Sequence, residues 1–329
     1  ENKETVLVTG GSGFIGSHCI IQLAAAGYNV KATVRDLSRT NKLNQILLTG
    51  LEKHEGKSDL SVDWQVANLS SDEGWDEAVK GCDYVLHVAS PIGMELPKNE
   101  DEMVKPAVEG TLRVLKAASK AGVKRVVITS SVAAIMYGTD KQGVFNEEDW
   151  TNPESKTTNV YAKSKTLAEQ AAWDFIKKDT TGMELSTVLP AMVFGPILEE
   201  DFGVSVGAIL DMMNGKYPIV PNWDMGVVDV RDVASLELLA MTKPEAAGKR
   251  FVCSAENMFM KDQNEYLSEL FPESASKIPK RVAPNWLIKF LALFLPALKM
   301  IAEGLGKERS MDSSRARNLL GWNPRSAKE

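Results

Sequence analysis

A glycine-rich turn near the start of the chain constrains the fold more than any other feature. The apolar run TVLVTG leads directly into TGGSGFIG, and the helical pattern FIGSHCIIQLAAAG follows. Glycines in such a turn allow close approach of the backbone to a pyrophosphate and close packing of helix on strand. The amides at the helix N-terminus then point at the phosphates. The pattern predicts a dinucleotide site whose contacts include Thr9, Gly10, Gly13, Phe14, Ile15 and Gly16.

Apolar runs rich in β-branched residues alternate with helical patterns over the first 190 residues. The predicted strands are TVLVTG, YNVKATV, LSVDWQV, DYVLHVA, KRVVITS and ELSTVLP. This alternation predicts an α/β fold of the Rossmann type, a doubly wound parallel sheet with helices on both faces. Further on, GVVDVRDVASLELLAM resumes the strand-to-helix pattern, and RFVCSAE is typical of a short strand.

These patterns divide the chain into two unequal parts. We predict an NADP-binding domain over residues 1–190, with return elements near 226–255. A smaller, mostly helical substrate-binding domain is expected from residues 191–225 and 256–329.

Composition excludes several classes of protein. The chain has 329 residues, 44% of them hydrophobic and 25% charged, which is ordinary for a globular protein. Its net charge of −6 provides no long-range attraction for nucleic acid or for an anionic membrane. The three cysteines and three histidines are scattered, which predicts buried thiols in a reducing, cytoplasmic setting and no metal site. We expect a monomer or a homodimer.

One apolar run, NWLIKFLALFLPALKMIA over residues 285–302, resembles a membrane segment. Lys289, Pro296 and Lys299 interrupt it, and it is shorter than the roughly 20 apolar residues that a bilayer span needs. We predict a buried or pocket-covering helix here, with a membrane anchor as the weaker alternative.

The end of the second strand bears on the choice of cofactor. A site for NAD would place a carboxylate there to bind the ribose 2′-hydroxyl, whereas YNVKATVRD has Arg35 at that point and Lys42 follows one or two helical turns later. A guanidinium suits a 2′-phosphate, so the sequence favours NADP(H). Asp36 comes two places late and argues against it, and Arg35 as a solvated loop charge is the alternative.

Two further motifs carry candidate chemistry. Tyr161 and Lys165 lie four residues apart in NVYAKSKTLAEQAAWDF, so a helix presents both on one face. Ser130 and Ser131 follow KRVVIT, at a strand end of the kind that lines ligand crevices in α/β sheets. A phenol beside an ammonium can act as an acid next to a nicotinamide, and a serine there can bind a carbonyl oxygen.

In this order and spacing, the three motifs resemble the extended short-chain dehydrogenase/reductase family. The resemblance continues through PAVEGT, VLPAMVFGP, VVDVRDVA and ARNLLGWNP, so it covers essentially the whole chain. Within the family the chain most resembles the dihydroflavonol reductase-like group, which includes plant cinnamoyl-CoA reductases and microbial aldehyde and ketone reductases. The resemblance implies an NADPH-dependent reduction of a small aldehyde or ketone to an alcohol.

The resemblance also implies roles for individual residues. Tyr161 would donate the proton, Lys165 would lower the pKa of that phenol and hold the nicotinamide ribose, and Ser131 would polarise the carbonyl, with Ser130 as the fallback. An oxidised nicotinamide would lower the pKa of the phenol further. The other cofactor contacts that the family implies are Asn68, Leu69, Ala89, Ser90, Pro190, Ala191 and Val193.

Positions at which this chain departs from the family pattern indicate how polar the substrate pocket is. Met136 stands where dihydroflavonol reductases carry an asparagine, and Ala107 replaces an asparagine of many epimerases, so we expect an apolar pocket. Its predicted walls, with part of 205–225, are Ile92, Met94, Met136, Phe194 and Phe202.

Other reactions on this fold remain open. A sugar-nucleotide epimerase or dehydratase and a hydroxysteroid-type dehydrogenase are alternatives, as is a non-catalytic NADP-binding regulator. The natural substrate, its stereochemistry and the physiological direction are left undetermined by the motifs.

Overall fold

A parallel sheet organises the molecule. The computed structural model of the protein describes residues 3–91, 99–198, 203–295, 298, 301–302 and 304–329. Its strands, in chain order, are β1 (Thr5–Thr9), β2 (Asn29–Val34), β3 (Val62–Val66), β4 (Tyr84–His87), β5 (Arg125–Thr129), β6 (Gly143–Phe145), β7 (Glu184–Pro190), β8 (Met192–Phe194), β9 (Asp224–Asp229), β10 (Arg250–Cys253), β11 (Glu256–Phe259) and β12 (Arg309–Met311).

Seven of these strands form the main sheet, in the order β3-β2-β1-β4-β5-β7-β10. Every neighbouring pair is parallel, with β1 pairing β2 through Val6 and Val30 and pairing β4 through Leu7 and Val85. The order reverses between β1 and β4, and such a switch point opens a crevice at the carboxyl ends of the strands. The predicted Rossmann fold is confirmed.

Helices cover both faces of the main sheet. In chain order, the helices of the described residues are α1 (Phe14–Ala26), α2 (Thr40–Glu55), α3 (Trp75–Val79), α4 (Asp101–Ala121), α5 (Val160–Ile176), α6 (Gly203–Met213), α7 (Val230–Thr242), α8 (Met260–Leu270), α9 (Asn285–Leu291) and α10 (Ser314–Leu320). Successive residues of a strand point to opposite faces. Val6 and Val8 therefore pack into the core with α1 and α7, while Leu7 packs into a second core with α3, α4 and α5.

The later part of the chain returns to this framework. β9 pairs with β8 in parallel and with β11 antiparallel, and β12 pairs with β6. Near the C-terminus, the Trp322 indole donates to the carbonyl of Asp232 on α7 at 2.9 Å, and the Arg325 amide donates to the Asp232 carboxylate at 2.7 Å. Residues far apart in sequence thus cover α7.

Helix α9 differs from the sequence prediction. Its inner face packs as expected, because Ile288 lies in a small apolar cluster with Ala283 and Leu305. Its outer face, however, exposes Trp286 and Phe290. The prediction of a buried helix is therefore wrong for that face, because apolar residues occupy both sides of the helix. Among the described residues, no helix is both long and apolar enough to cross a lipid bilayer.

A buried carboxylate links α5 to three strands of the main sheet. Glu169 accepts from Ser130 Oγ at 2.7 Å, from Thr187 Oγ1 at 2.8 Å and from Arg250 Nε at 2.7 Å. Glu169 is almost fully buried, and Arg250 is buried too. Removing one partner of a buried ion pair leaves the other charge without compensation.

We expect Glu169→Ala to lower the free energy of unfolding by about 3–5 kcal/mol, since the Arg250 guanidinium would remain buried and unpaired. Urea denaturation followed by circular dichroism measures the change. The control is Glu245→Ala, an exposed acidic residue, for which a change within about 0.5 kcal/mol is expected. Equal stabilities of the two variants would contradict this role of Glu169.

Candidate active site

The glycine turn between β1 and α1 is shaped by close contacts. Gly10 adopts φ +68°, and a Cβ placed there would lie 3.0 Å from Ala89 Cα; a Cβ at Gly16 would collide with the Gly10 carbonyl oxygen. Gly13 caps α1 without a side chain, and the first turn of the helix carries no acidic residue. The first-turn amides of α1 are thus available to an anionic ligand, and the turn fits a dinucleotide pyrophosphate.

The ends of β1 and β4 meet beside this turn. Thr9 Oγ1 lies 2.9 Å from Nδ1 of His87, and the Ala89 amide donates to the same hydroxyl at 3.0 Å. Burial, and secondly the charge of Lys165, lower the pKa of His87 to about 3. His87 is therefore neutral at physiological pH, and it is the last residue of β4.

At the end of β2, the acidic side chain of Asp36 is hydrogen-bonded within its own loop, whereas the basic side chain of Arg35 is exposed. The Asp36 carboxylate accepts from the Ser38 amide at 2.9 Å and from the Ser38 hydroxyl, and these hydrogen bonds lower its pKa. Asp36 thereby caps its own loop. Arg35 directly follows β2, Lys42 lies in the first turn of α2, and both are exposed. This arrangement fits a 2′-phosphate, because the carboxylate is engaged locally and both exposed residues are cationic.

The other predicted cofactor contacts follow the carboxyl ends of neighbouring strands. Asn68 follows β3 and its Oδ1 accepts from the Ser70 amide, while Leu69 packs close to Gly110 of α4. Pro190 ends β7. Ser90 follows Ala89 after β4, and Ala191 and Val193 follow β7. Parallel strands bring these ends to one edge of the sheet.

Two capping interactions position Ser131 and Tyr161. Ser131 Oγ caps a short 3-10 turn by accepting from the Ala133 amide at 3.1 Å. Asn159 caps α5 by accepting from the Ala162 amide at 2.9 Å, which places Tyr161 in the first turn of the helix. Ser131 lies close enough to Tyr161 to lower the pKa of its phenol. Ser130, the fallback, donates to Glu169 instead.

Lys165 lies one turn beyond Tyr161 and donates to the carbonyl of Thr129 at 3.3 Å. Burial lowers its pKa to about 8, and the carboxylates of Glu169 and Glu237 oppose that change. Burial raises the pKa of Tyr161, while Ser131 lowers it. Burial thus raises the pKa of the phenol in this structure, whereas the sequence predicts that Lys165 and an oxidised nicotinamide lower it.

The motifs alone did not reveal Glu237. This α7 residue is fully buried, and Thr129 Oγ1 donates to its Oε1 at 2.6 Å. Its other oxygen has no partner among the described residues, and burial raises its pKa to about 8. Thr129 thus bonds Lys165 through its carbonyl and Glu237 through its hydroxyl. The signal in the sequence is an acidic residue inside the apolar run SLELLAM.

A small cavity lies behind Lys165. It has a volume of about 20 Å³ and is lined by His87, Ser90, Thr111 and Ser130 as well as Lys165. That volume is close to what one water molecule needs, and the lining offers several polar partners. Among the described residues, no cluster of three or more histidine, cysteine or acidic side chains could hold a metal ion.

The predicted substrate walls are placed only in part. Ile92, Met94 and Phe202 lie outside the described residues. Met136 is 6% exposed, in a buried cluster against which Tyr161 packs. Phe194 is half-buried in β8, and α6 supplies part of the 205–225 segment.

Comparisons with known proteins agree with this geometry. Residues 6–254 match the model of the NAD dependent epimerase/dehydratase family. A cinnamoyl-CoA reductase of Medicago truncatula is 36% identical over 85% of this chain and 84% of its own. A dihydroflavonol 4-reductase of Arabidopsis thaliana is 34% identical over 83% and 71%. The structure of a yeast methylglyoxal/isovaleraldehyde reductase complexed with NADPH superposes with a TM-score of 0.78, at 28% identity over 98% and 95%.

We expect Glu237→Gln to lower the pKa of Lys165, since the ionised form of Glu237 favours the ammonium and glutamine carries no charge. The pKa starts from about 8. The thiols of Cys19 and Cys253, which also face Glu237, stay protonated because burial raises their pKa. Carbon-13 NMR of labelled lysine, with the resonance assigned through Lys165→Arg, measures the titration.

The matched control for this titration is Glu245→Gln, which removes the same charge from an exposed site. An unchanged Lys165 midpoint in Glu237→Gln would show that the two buried groups are not coupled.

Proposed function

The chain belongs to the NAD dependent epimerase/dehydratase family, the extended short-chain dehydrogenases/reductases that its motifs resemble, and from that premise we propose that it reduces an aldehyde or ketone to an alcohol with Tyr161 as the proton donor. It is an NADP(H)-dependent oxidoreductase acting on carbonyl or alcohol groups. The observation that carries the finer proposal is the proximity of Ser131 to the Tyr161 phenol, whose pKa it lowers, with Lys165 one helical turn further along α5.

The residues that would hold NADPH fall into two groups. The glycine turn and the first amides of α1 would bind the pyrophosphate. Because Gly10 and Gly16 carry no side chain, the pyrophosphate can come close to the backbone there. Arg35 and Lys42 would bind the 2′-phosphate, and the engagement of Asp36 by Ser38 supports this choice. When bound, the nicotinamide supplies the hydride. The yeast reductase of similar structure is complexed with NADPH.

The serine and the tyrosine would act on the carbonyl oxygen. Ser131 would donate a hydrogen bond to that oxygen and polarise the carbonyl group. Tyr161 would then transfer its proton as negative charge develops there. Because burial raises the pKa of the phenol, Tyr161 is protonated at neutral pH, as a proton donor must be.

Lys165 would stabilise the phenolate that Tyr161 leaves behind. An ammonium nearby favours the ionised phenol. Its pKa of about 8 keeps most of the lysine charged at neutral pH. The neutral His87 adds no competing positive charge.

The substrate is proposed to be a fairly apolar carbonyl compound. Met136 beneath Tyr161 and Phe194 in β8 support an apolar wall. We propose that the substrate lies between the nucleotide-binding part, residues 1–190 with about 226–255, and a smaller part formed by 191–225 and 256–329.

Tyr161→Phe retains the ring and removes the acid, so we expect kcat to fall by about 100-fold or more. NADPH oxidation is followed with a panel of aldehydes, α-ketoesters, diketones and flavanonols. NADPH binding, measured by fluorescence, serves as the control and is expected to be nearly unchanged. Unaltered turnover in this variant would rule out Tyr161 as the proton donor. Net NADPH oxidation by the wild type would exclude a sugar-nucleotide epimerase, which consumes no net NADPH.

Arg35→Ala is expected to reduce the preference for NADPH over NADH by about tenfold to a hundredfold in kcat/KM, since a charged hydrogen bond to the 2′-phosphate is lost. Steady-state kinetics with both cofactors measure the ratio. Lys53→Ala, an exposed cation near the other end of α2, is the control. A ratio unchanged by Arg35→Ala would mean that Arg35 is a solvated loop charge.

A further inference from the structure

Helix α9 and the turn after it leave a large apolar surface exposed. The exposed fractions are 69% for Trp286, 53% for Phe290, 68% for Leu293, 68% for Phe294 and 49% for Leu295. These five side chains are called the 286–295 surface below. Monomeric proteins rarely leave contiguous apolar patches of this kind in water, and such patches mark interaction sites.

The exposed side chains follow the periodicity of one helical face. Trp286, Phe290, Leu293 and Phe294 stand at positions i, i+4, i+7 and i+8. Hydrogen bonds from the Ala292 and Leu295 amides to the carbonyls of Ile288 and Leu291 continue the helical turn past α9. The rings of Phe290 and Phe294 meet edge to face, with 5.5 Å between their centroids.

Folding does not require this surface. The opposite side of the helix, through Ile288 and Ala292, supplies its buried residues. Polar residues on the outer side would leave those buried contacts intact. The outer apolar residues therefore call for a partner outside the described fold.

The charge around the 286–295 surface identifies the kind of partner. Residues 277–307 contain six lysines or arginines and one acidic residue, whereas acidic residues outnumber basic ones 44 to 38 in the whole chain. Lys280, Arg281 and Lys289 are exposed. Charges more than about 8 Å away are largely screened at physiological salt, so the local basic cluster outweighs the net charge of the chain.

A second copy of this chain and a lipid membrane would both fit an apolar surface, and the charge around the surface favours one of them. In a symmetric dimer the same patch lies on both sides of the interface, so Lys289, which lies on the helix itself, would approach Lys289 of the other copy. An anionic lipid surface presents the opposite charge. Aromatic and leucine side chains on one helical face, flanked by lysine and arginine, are typical of helices that lie in the membrane interface.

We propose that the 286–295 surface docks peripherally on anionic phospholipid membranes. Trp286, Phe290 and Phe294 enter the headgroup boundary, and the neighbouring cations pair with lipid phosphates. This interaction is independent of the proposed reductase activity.

Vesicle sedimentation with the full chain tests this proposal. Wild-type protein is expected to pellet with vesicles of phosphatidylcholine and phosphatidylserine, to bind vesicles of phosphatidylcholine alone more weakly, and to be released by high salt. The double variant Phe290→Ser/Phe294→Ser is expected to bind at least about tenfold more weakly, since each phenylalanine contributes buried apolar area. Lys289→Glu is expected to weaken binding to the anionic vesicles only.

The matched control is Val144→Ser, which alters an apolar residue that is 55% exposed on β6. Its vesicle binding is expected to equal that of the wild type. Circular dichroism and NADPH binding of all variants verify that the fold is intact. Absence of wild-type binding to anionic vesicles overturns the proposal, and so does a wild-type dimer in sedimentation velocity that the double phenylalanine variant dissociates.

Discussion

Burial of charge behind the carboxyl edge of the main sheet is the constraint on which the rest of the structure depends. Glu169 connects α5 with Ser130 of the β5 end, Thr187 of β7 and Arg250 of β10. A buried ion pair is weak evidence for net stability, but it imposes a specific arrangement because either charge alone would be very unfavourable. The helix that carries Tyr161 and Lys165 is thereby fixed against the strands that carry the serines.

The same burial accounts for the electrostatics of the site. It lowers the pKa of Lys165 and raises that of Tyr161, so that each group moves toward its neutral form. The carboxylates of Glu169 and Glu237 work against this effect at Lys165. The charge on the lysine therefore depends on side chains from α5 and α7, on opposite faces of the sheet.

Local motifs predicted the parts of the site that local structure determines. The glycine turn, the six strands of the first 190 residues and the Tyr161–Lys165 spacing each depend on residues close in sequence, and the structure places them together. Glu237 and the Glu169–Arg250 pair depend on contacts between residues that are 81 or more positions apart, which periodicity does not encode. The prediction that α9 is buried was wrong on its outer face for a related reason. The sequence shows which residues of the helix are apolar, but not whether another part of the chain packs over them.

The late return of the chain to the main sheet has a consequence for biosynthesis. β10 is the last strand along the chain to join the main sheet, and Trp322 and Arg325 cover α7 through hydrogen bonds to Asp232. During synthesis, the ribosome releases the N-terminal strands long before these residues emerge. The edge of β7 and part of α7 then stay open to water and to other chains, and non-local parallel pairing is slow. A nascent chain therefore keeps that edge of the sheet exposed until residues 250–253 have been made and paired with β7.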